Sequence, residues 1–263
     1  MKSLSALIPW RRQHGLRRIA GHKASEVIPK LDTILRRING QVCIQDAIYS
    51  CLGELGGGYI PSCVSPAVGS FIIALDERNW SSSRSRAKGL RDLGVAQLGS
   101  MGVVDQKKFV KIISEKIIRH MIPEMFTEVF SNNAECMAAA VRCETGTREA
   151  ADFAAMAAGR AVDDARRIGD LELLAGAEAA ESMALFASQA ATCADNAICT
   201  NTSRSTRNTT WSATSAGRVA MKCTTPKFYD KYLRMTAEIG LETLKELKSP
   251  GVEWLKFSND YEF

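Results

Sequence analysis

Residues 134–197 constrain the fold more than any other part of the chain. Alanine dominates them, in the runs Ala138-Ala139-Ala140, Ala150-Ala151, Ala154-Ala155, Ala157-Ala158 and Ala179-Ala180. Alanine is the strongest helix former because it gives up no side-chain entropy when it orders. Across residues 147–169 the small residues Ala150, Ala154, Ala157, Ala158, Ala161 and Ala165 recur on one helical face, while Asp152, Arg160, Asp163 and Arg167 mark the wet side. So small a face lets neighbouring helix axes approach toward the short end of the ~8–10 Å packing range. Gly169-Asp170 reads as a stop followed by a fresh N-cap for a second alanine-rich helix reaching about residue 198. Small-faced helices alternate here without a fixed period, so no solenoid repeat is assigned.

The remainder also reads as helix. Val27, Ile28, Leu31, Ile34, Leu35 and Ile38 recur at three- and four-residue steps, with Ser25 as the expected N-cap and Asn39-Gly40 as the stop. A second helix is expected over residues 41–55, ended by Gly56-Gly57-Gly58. Residues 59–70, with Pro61, Pro66 and Gly69, read as a loop, residues 71–75 as helix by context, and residues 81–86 as a polar, basic linker before a helix over 87–98. Asp105 caps a strongly amphipathic helix through Phe109, Ile112, Ile113, Ile117 and Met121, which Pro123 is expected to break or kink before a short helix over 124–130. Residues 200–210 read as a polar insert, residues 211–223 as a helix, and residues 227–248 as a long last helix. Ser249-Pro250-Gly251 halts that helix before an apolar tail of Val252, Trp254, Leu255 and Phe257, which is expected to fold back on the core.

These readings predict an all-α protein, a multi-helix bundle or irregular helical array with closely packed alanine-rich helices in the C-terminal half. The expected divisions are a basic arm at 1–24, a helical region at 25–130 and the alanine-rich region at 131–263, the last two forming one continuous domain in the alternative division. No apolar run approaches the roughly 18 residues that span a bilayer, so no membrane insertion is expected. In residues 1–23 an apolar stretch precedes the arginines, the reverse of a secretory signal; the Arg-rich, acid-poor composition also fits a mitochondrial presequence, which makes the matrix a minority alternative to the cytoplasm. Eight cysteines occur with no pair separated by only two residues, so metal-knuckle and redox spacings are absent, and a reducing compartment is the simplest reading.

Charge is uneven. Residues 1–130 hold 19 Lys and Arg against 11 Asp and Glu, whereas residues 131–263 hold 15 against 18. Attraction for nucleic acid or an acidic partner is therefore assigned to the N-terminal half, with Arg11, Arg12, Arg17 and Arg18 beside Trp10, and Arg84, Arg86 and Lys88 in the expected linker, as candidate contacts. No catalytic, metal or cofactor site is assigned. The glycines of residues 53–58 lack the spacing of a phosphate loop, His14, His22 and His120 are scattered, and no serine or cysteine sits in a nucleophile motif. The acids Asp163, Asp164, Glu172, Glu178 and Glu181 are read as a solvated face, paired with Arg160, Arg166 and Arg167.

Residues 149–167, EAADFAAMAAGRAVDDARR, carry a resemblance. With the alanine-rich stretch around them, about residues 134–200, they resemble the helical region of alanine-rich immunity-type proteins found beside bacterial toxins and in phage genomes. The likeness is one of composition, and the basic N-terminal half and the polar stretch at 200–210 depart from it. It implies a non-enzymatic inhibitor that binds and blocks a protein partner, and it carries over no site residues. The expected function is thus a helical protein–protein interaction protein, bacterial or phage-borne, needing no cofactor; the alternative is a nucleic-acid-associated protein using the basic N-terminal half.

Overall fold

The computed structural model describes residues 21–37, 43–53, 60–199, 203–219 and 229–257. Among these residues the chain forms eleven α-helices and no strand, the all-α array that the periodicity predicts. The expected stops at Asn39-Gly40 and Gly56-Gly57-Gly58, and the arm residues Arg11, Arg12, Arg17 and Arg18, lie outside the described residues.

Helix α1 (Ala24–Arg37) begins one residue earlier than its expected cap. The carbonyl of Lys23 accepts from Glu26 and Val27 at 3.0 and 3.1 Å, so Ser25 lies within the first turn and is not the N-cap. Helix α2 (Ile44–Leu52) is capped by the Cys43 sulfur and ended by Gly53 at φ 64°, a left-handed position that glycine enters without a Cβ clash. Two expectations of loop are corrected. Helix α3 (Pro66–Asp76) starts inside the supposed loop at 59–70, with Pro66 in the first turn where its missing N–H costs nothing. Helix α4 (Ser83–Ala96) takes in most of the supposed linker, because the Ser82 hydroxyl accepts from the Ser85 amide and caps it.

Asp105 caps α5 (Gln106–Lys116) through the Lys107 and Lys108 amides at 2.9 and 3.2 Å. Of the break or kink expected at Pro123, the break does not occur. The chain widens into a π-turn at Ile117–Met121, in which the Ile122 amide reaches back five residues to the Ile117 carbonyl, and α6 (Ile122–Phe130) follows with Pro123 in its first turn. Helix α7 (Ala134–Arg142) is capped by Asn133 and passes through a 3-10 turn, Cys143–Thr145, to α8 (Arg148–Ile168), capped by Thr147 and closed by Gly169 at φ 75°. Asp170 then accepts from the Leu173 amide at 2.9 Å and opens α9 (Leu171–Cys199), as the residue types predict. The polar stretch at 200–210 is a correction: most of it belongs to α10 (Ser203–Gly217). Helix α11 (Tyr229–Glu246) and a 3-10 segment, Pro250–Phe257, complete the described chain.

One cluster of buried apolar residues runs from Ala24 to Trp254 and touches nearly every element. The 29-residue α9, about 43 Å long, packs against α8, α10, α5 and α6. Its alanines are buried along almost its full length. Alanine-on-alanine packing brings backbones close: the Cys136 and Cys143 sulfurs on one side of α8 each lie 3.7 Å from its carbonyls at Ala157 and Ala150. Helix α3 is held between α10 and α11. A methyl group added at Gly240 would stand 2.5 Å from the Phe71 ring, and one at Gly217 would stand 2.7 Å from the Phe71 carbonyl oxygen. The tail folds back as expected: Ser249 and Gly251 donate to the Ala96 and Leu98 carbonyls at 2.6 and 2.8 Å, and Trp254 is buried.

Candidate functional site

The long-range polar contacts between helices serve packing. Arg91 of α4 donates from Nε and Nη2 to both carboxylate oxygens of Asp32 of α1, at 2.6 and 2.8 Å. The Gln45 and Gln97 side-chain amides donate to each other at 2.9 and 3.0 Å, joining α2 to the end of α4. Asp76, at the end of α3, accepts from the Ile44 amide at 3.1 Å and so supports the start of α2, while its other oxygen faces Arg86 Nε at 3.5 Å. Burial raises the Asp76 pKa, and Arg86 and the Ile44 amide offset part of that rise. Asp230 of α11 receives the Ser81 amide at 2.9 Å and the Ser81 and Ser85 hydroxyls; burial pushes its carboxyl up, but these donors and Arg234 leave it below the usual range. Lys231 sits 2.9 and 2.7 Å from Glu124 and Glu128 of α6, and Tyr232 donates to Glu128 at 2.9 Å.

Five of the described thiols, Cys43, Cys51, Cys136, Cys143 and Cys193, are shifted in the unreactive direction by burial. Burial pushes Cys43 and Cys143 up to about 12, and Cys51 and Cys136 up to about 11. A thiol is a nucleophile only as the thiolate, so these positions favour packing over chemistry. Among the described residues no three His, Cys, Asp or Glu side chains come together as a metal site. The acids of the alanine-rich helices pair with arginines: Asp163 and Glu178 with Arg166 at 3.5 and 3.6 Å, and Asp164 with Arg167 at 3.2 Å.

The candidate basic residues in the described chain separate. Arg84 and Lys88 lie one turn apart on an exposed stripe of α4, whereas Arg86 turns inward to Asp76. A linker would have left all three in solvent; the helix sends position 86 to a different face.

Among the described residues the most exposed large apolar side chains lie at the corner between α8 and α9. Every residue from 166 to 172 is exposed, and the corner presents Ile168 at 69% and Leu171 at 79% relative exposure, rimmed by Arg166, Arg167, Asp170 and Glu172. Gly169 lets the chain reverse there, and the Asp170 cap fixes where α9 begins. On α10, Trp211 is 59% exposed. Sequence reasoning did not single out these positions, because an exposed leucine or tryptophan has the same spacing as a buried one. The signal for the corner was the stop-and-cap pair Gly169-Asp170 with an apolar residue on each side.

No family model, curated protein or solved structure matches this chain.

Proposed function

We propose that this is a non-enzymatic helical binding protein, an inhibitor of the immunity type, that engages a protein partner through the corner between α8 and α9. The observation that carries the reading is the pair Ile168 and Leu171, held out of the core where two helices meet and flanked by charged residues. An apolar centre with a polar rim is the composition of a protein-binding patch. Free thiols in the core at Cys51, Cys136 and Cys143 fit a reducing compartment, which we take to be the cytoplasm of a bacterial or phage-infected cell.

The test is affinity capture of the tagged protein from its host, with and without nuclease, beside the variant Ile168→Asp/Leu171→Asp. Both side chains are exposed, so the variant keeps the wild-type melting temperature. One stoichiometric protein partner that survives nuclease and is lost with the double variant is the expected outcome. Equal recovery by the variant, or substrate turnover from a single pocket, overturns the reading.

The exposed pair Arg84 and Lys88 favours a second reading, nucleic-acid association through the N-terminal half together with Arg11, Arg12, Arg17 and Arg18. It requires an affinity that falls steeply with added salt and with neutralisation of those residues.

A further inference from the structure

The cations at 84–88 regroup once that stretch is helical. Arg84 and Lys88 lie on one exposed stripe of α4, about 6 Å apart along the axis, and Arg86 leaves it for the buried Asp76. A cation from the far end of the chain takes its place. Arg234 of α11 donates from Nη2 to the Ser85 hydroxyl at 2.8 Å, and a methyl group added at Gly89 would lie 3.6 Å from the Arg234 Cγ. Ser85 and Gly89 directly follow Arg84 and Lys88, about 100° further round the helix, so the Arg234 side chain borders the stripe. Glycine at 89 makes the room: the same methyl group would stand 2.5 Å from the Trp80 ring, which packs on α4 beside Arg234.

The acids near this surface are already engaged. Arg234 keeps 46% of its side chain exposed, and its partner Asp230, at 3.6 Å, also receives the Ser81 amide and the Ser81 and Ser85 hydroxyls. Asp92, one turn beyond Lys88, faces the buried Arg91 at 3.1 Å. Guanidinium and ammonium groups both bind phosphate oxygens, and cations spaced a helical turn apart suit a partner whose negative charges repeat along a strand.

We propose that Arg84 and Lys88 of α4 and Arg234 of α11 form one surface for the phosphodiester backbone of a nucleic acid. The proposal rests on the second reading above and adds to it a site joined from two distant segments, with Arg234 in the place that the sequence offered to Arg86. Contacts of this kind hold the backbone and read no bases.

The full chain is titrated against a labelled short DNA duplex, the matching single strand and polyglutamate, following fluorescence anisotropy over a salt series. Affinity for duplex or single strand is expected to fall steeply with salt, and the tighter of the two identifies the source. Arg84→Gln/Lys88→Gln/Arg234→Gln should weaken binding at least about tenfold at low salt, and Arg234→Gln alone should flatten the plot of log affinity against log salt by about one. Arg234→Lys should keep the wild-type slope, as should Lys111→Gln, which removes an exposed charge from α5. Thermal melts confirm that each variant is folded. A wild-type slope in Arg234→Gln overturns the proposal, as does a slope flattened equally by Arg234→Lys or Lys111→Gln. If affinity then depends on Arg11, Arg12, Arg17 and Arg18 instead, the second reading stands without this surface. Absence of binding by both nucleic acids overturns the two together, and polyglutamate bound as tightly as either overturns the choice of partner.

Discussion

Arg91 and Asp32 are nearly buried, and each carboxylate oxygen of Asp32 has its own guanidinium donor. Truncating one partner therefore strands the other charge in the core. Arg91→Met should cost about 3–5 kcal/mol in urea unfolding, and Asp32→Leu added to it should recover most of that loss, since an apolar pair of similar volume carries no desolvation cost. Asp76 gives a pH test. Its folded pKa is raised from 3.8, chiefly by burial, so above that value the native state binds more protons than the unfolded chain. The contribution is complete below the ordinary carboxyl range and is lost as pH rises through the native value. Melting temperature should therefore decline over that interval in the wild type, and the decline should be smaller in Asp76→Asn.

At the scale of elements, the alanine stripe of α8 works because it is thin. Ala154 is fully buried on the side where α8 meets its neighbours, so Ala154→Leu should cost about 1–3 kcal/mol by forcing helices apart, although leucine is itself a good helix former. Met156, two residues on and exposed, should tolerate alanine within about 0.5 kcal/mol in the same chemical-denaturation assay. Helix α8 is legible in full from its residues: a threonine cap, a small face and a glycine stop all act within the element. Helix α10 is not. Ser, Thr and Asn are weak helix formers, and residues 200–210 read as an insert for that reason. Packing against α9 accompanies the earlier start: Thr209 is buried, and Ser212, inside the expected helix, donates to the Ala190 carbonyl at 2.6 Å. Pro123, expected to break or kink the helix, does not break it: one widened turn before it lets the helix continue, and the wider turn has no signature in residue spacing.

Across the whole molecule, helix periodicity is set by residues three and four apart, so the all-α class, the alanine-rich helices α8 and α9 and the folded-back tail follow from residue spacing alone. The candidate surfaces follow from it only in part. Arg84 and Lys88 are visible as charges, but the diversion of Arg86 to Asp76 depends on which face of α4 meets α3. Ile168, Leu171 and Trp211 look in sequence like any other apolar residue on an amphipathic helix. Local preference and burial demand are properties of a short stretch of chain, and the sequence by itself determined that these stretches are helical, where α5 and α9 start, which faces are apolar and that they must pack. Which charges are neutralised, which apolar groups stay in water and which helix lies at the centre depend on contacts between distant stretches, and those only the tertiary structure decided.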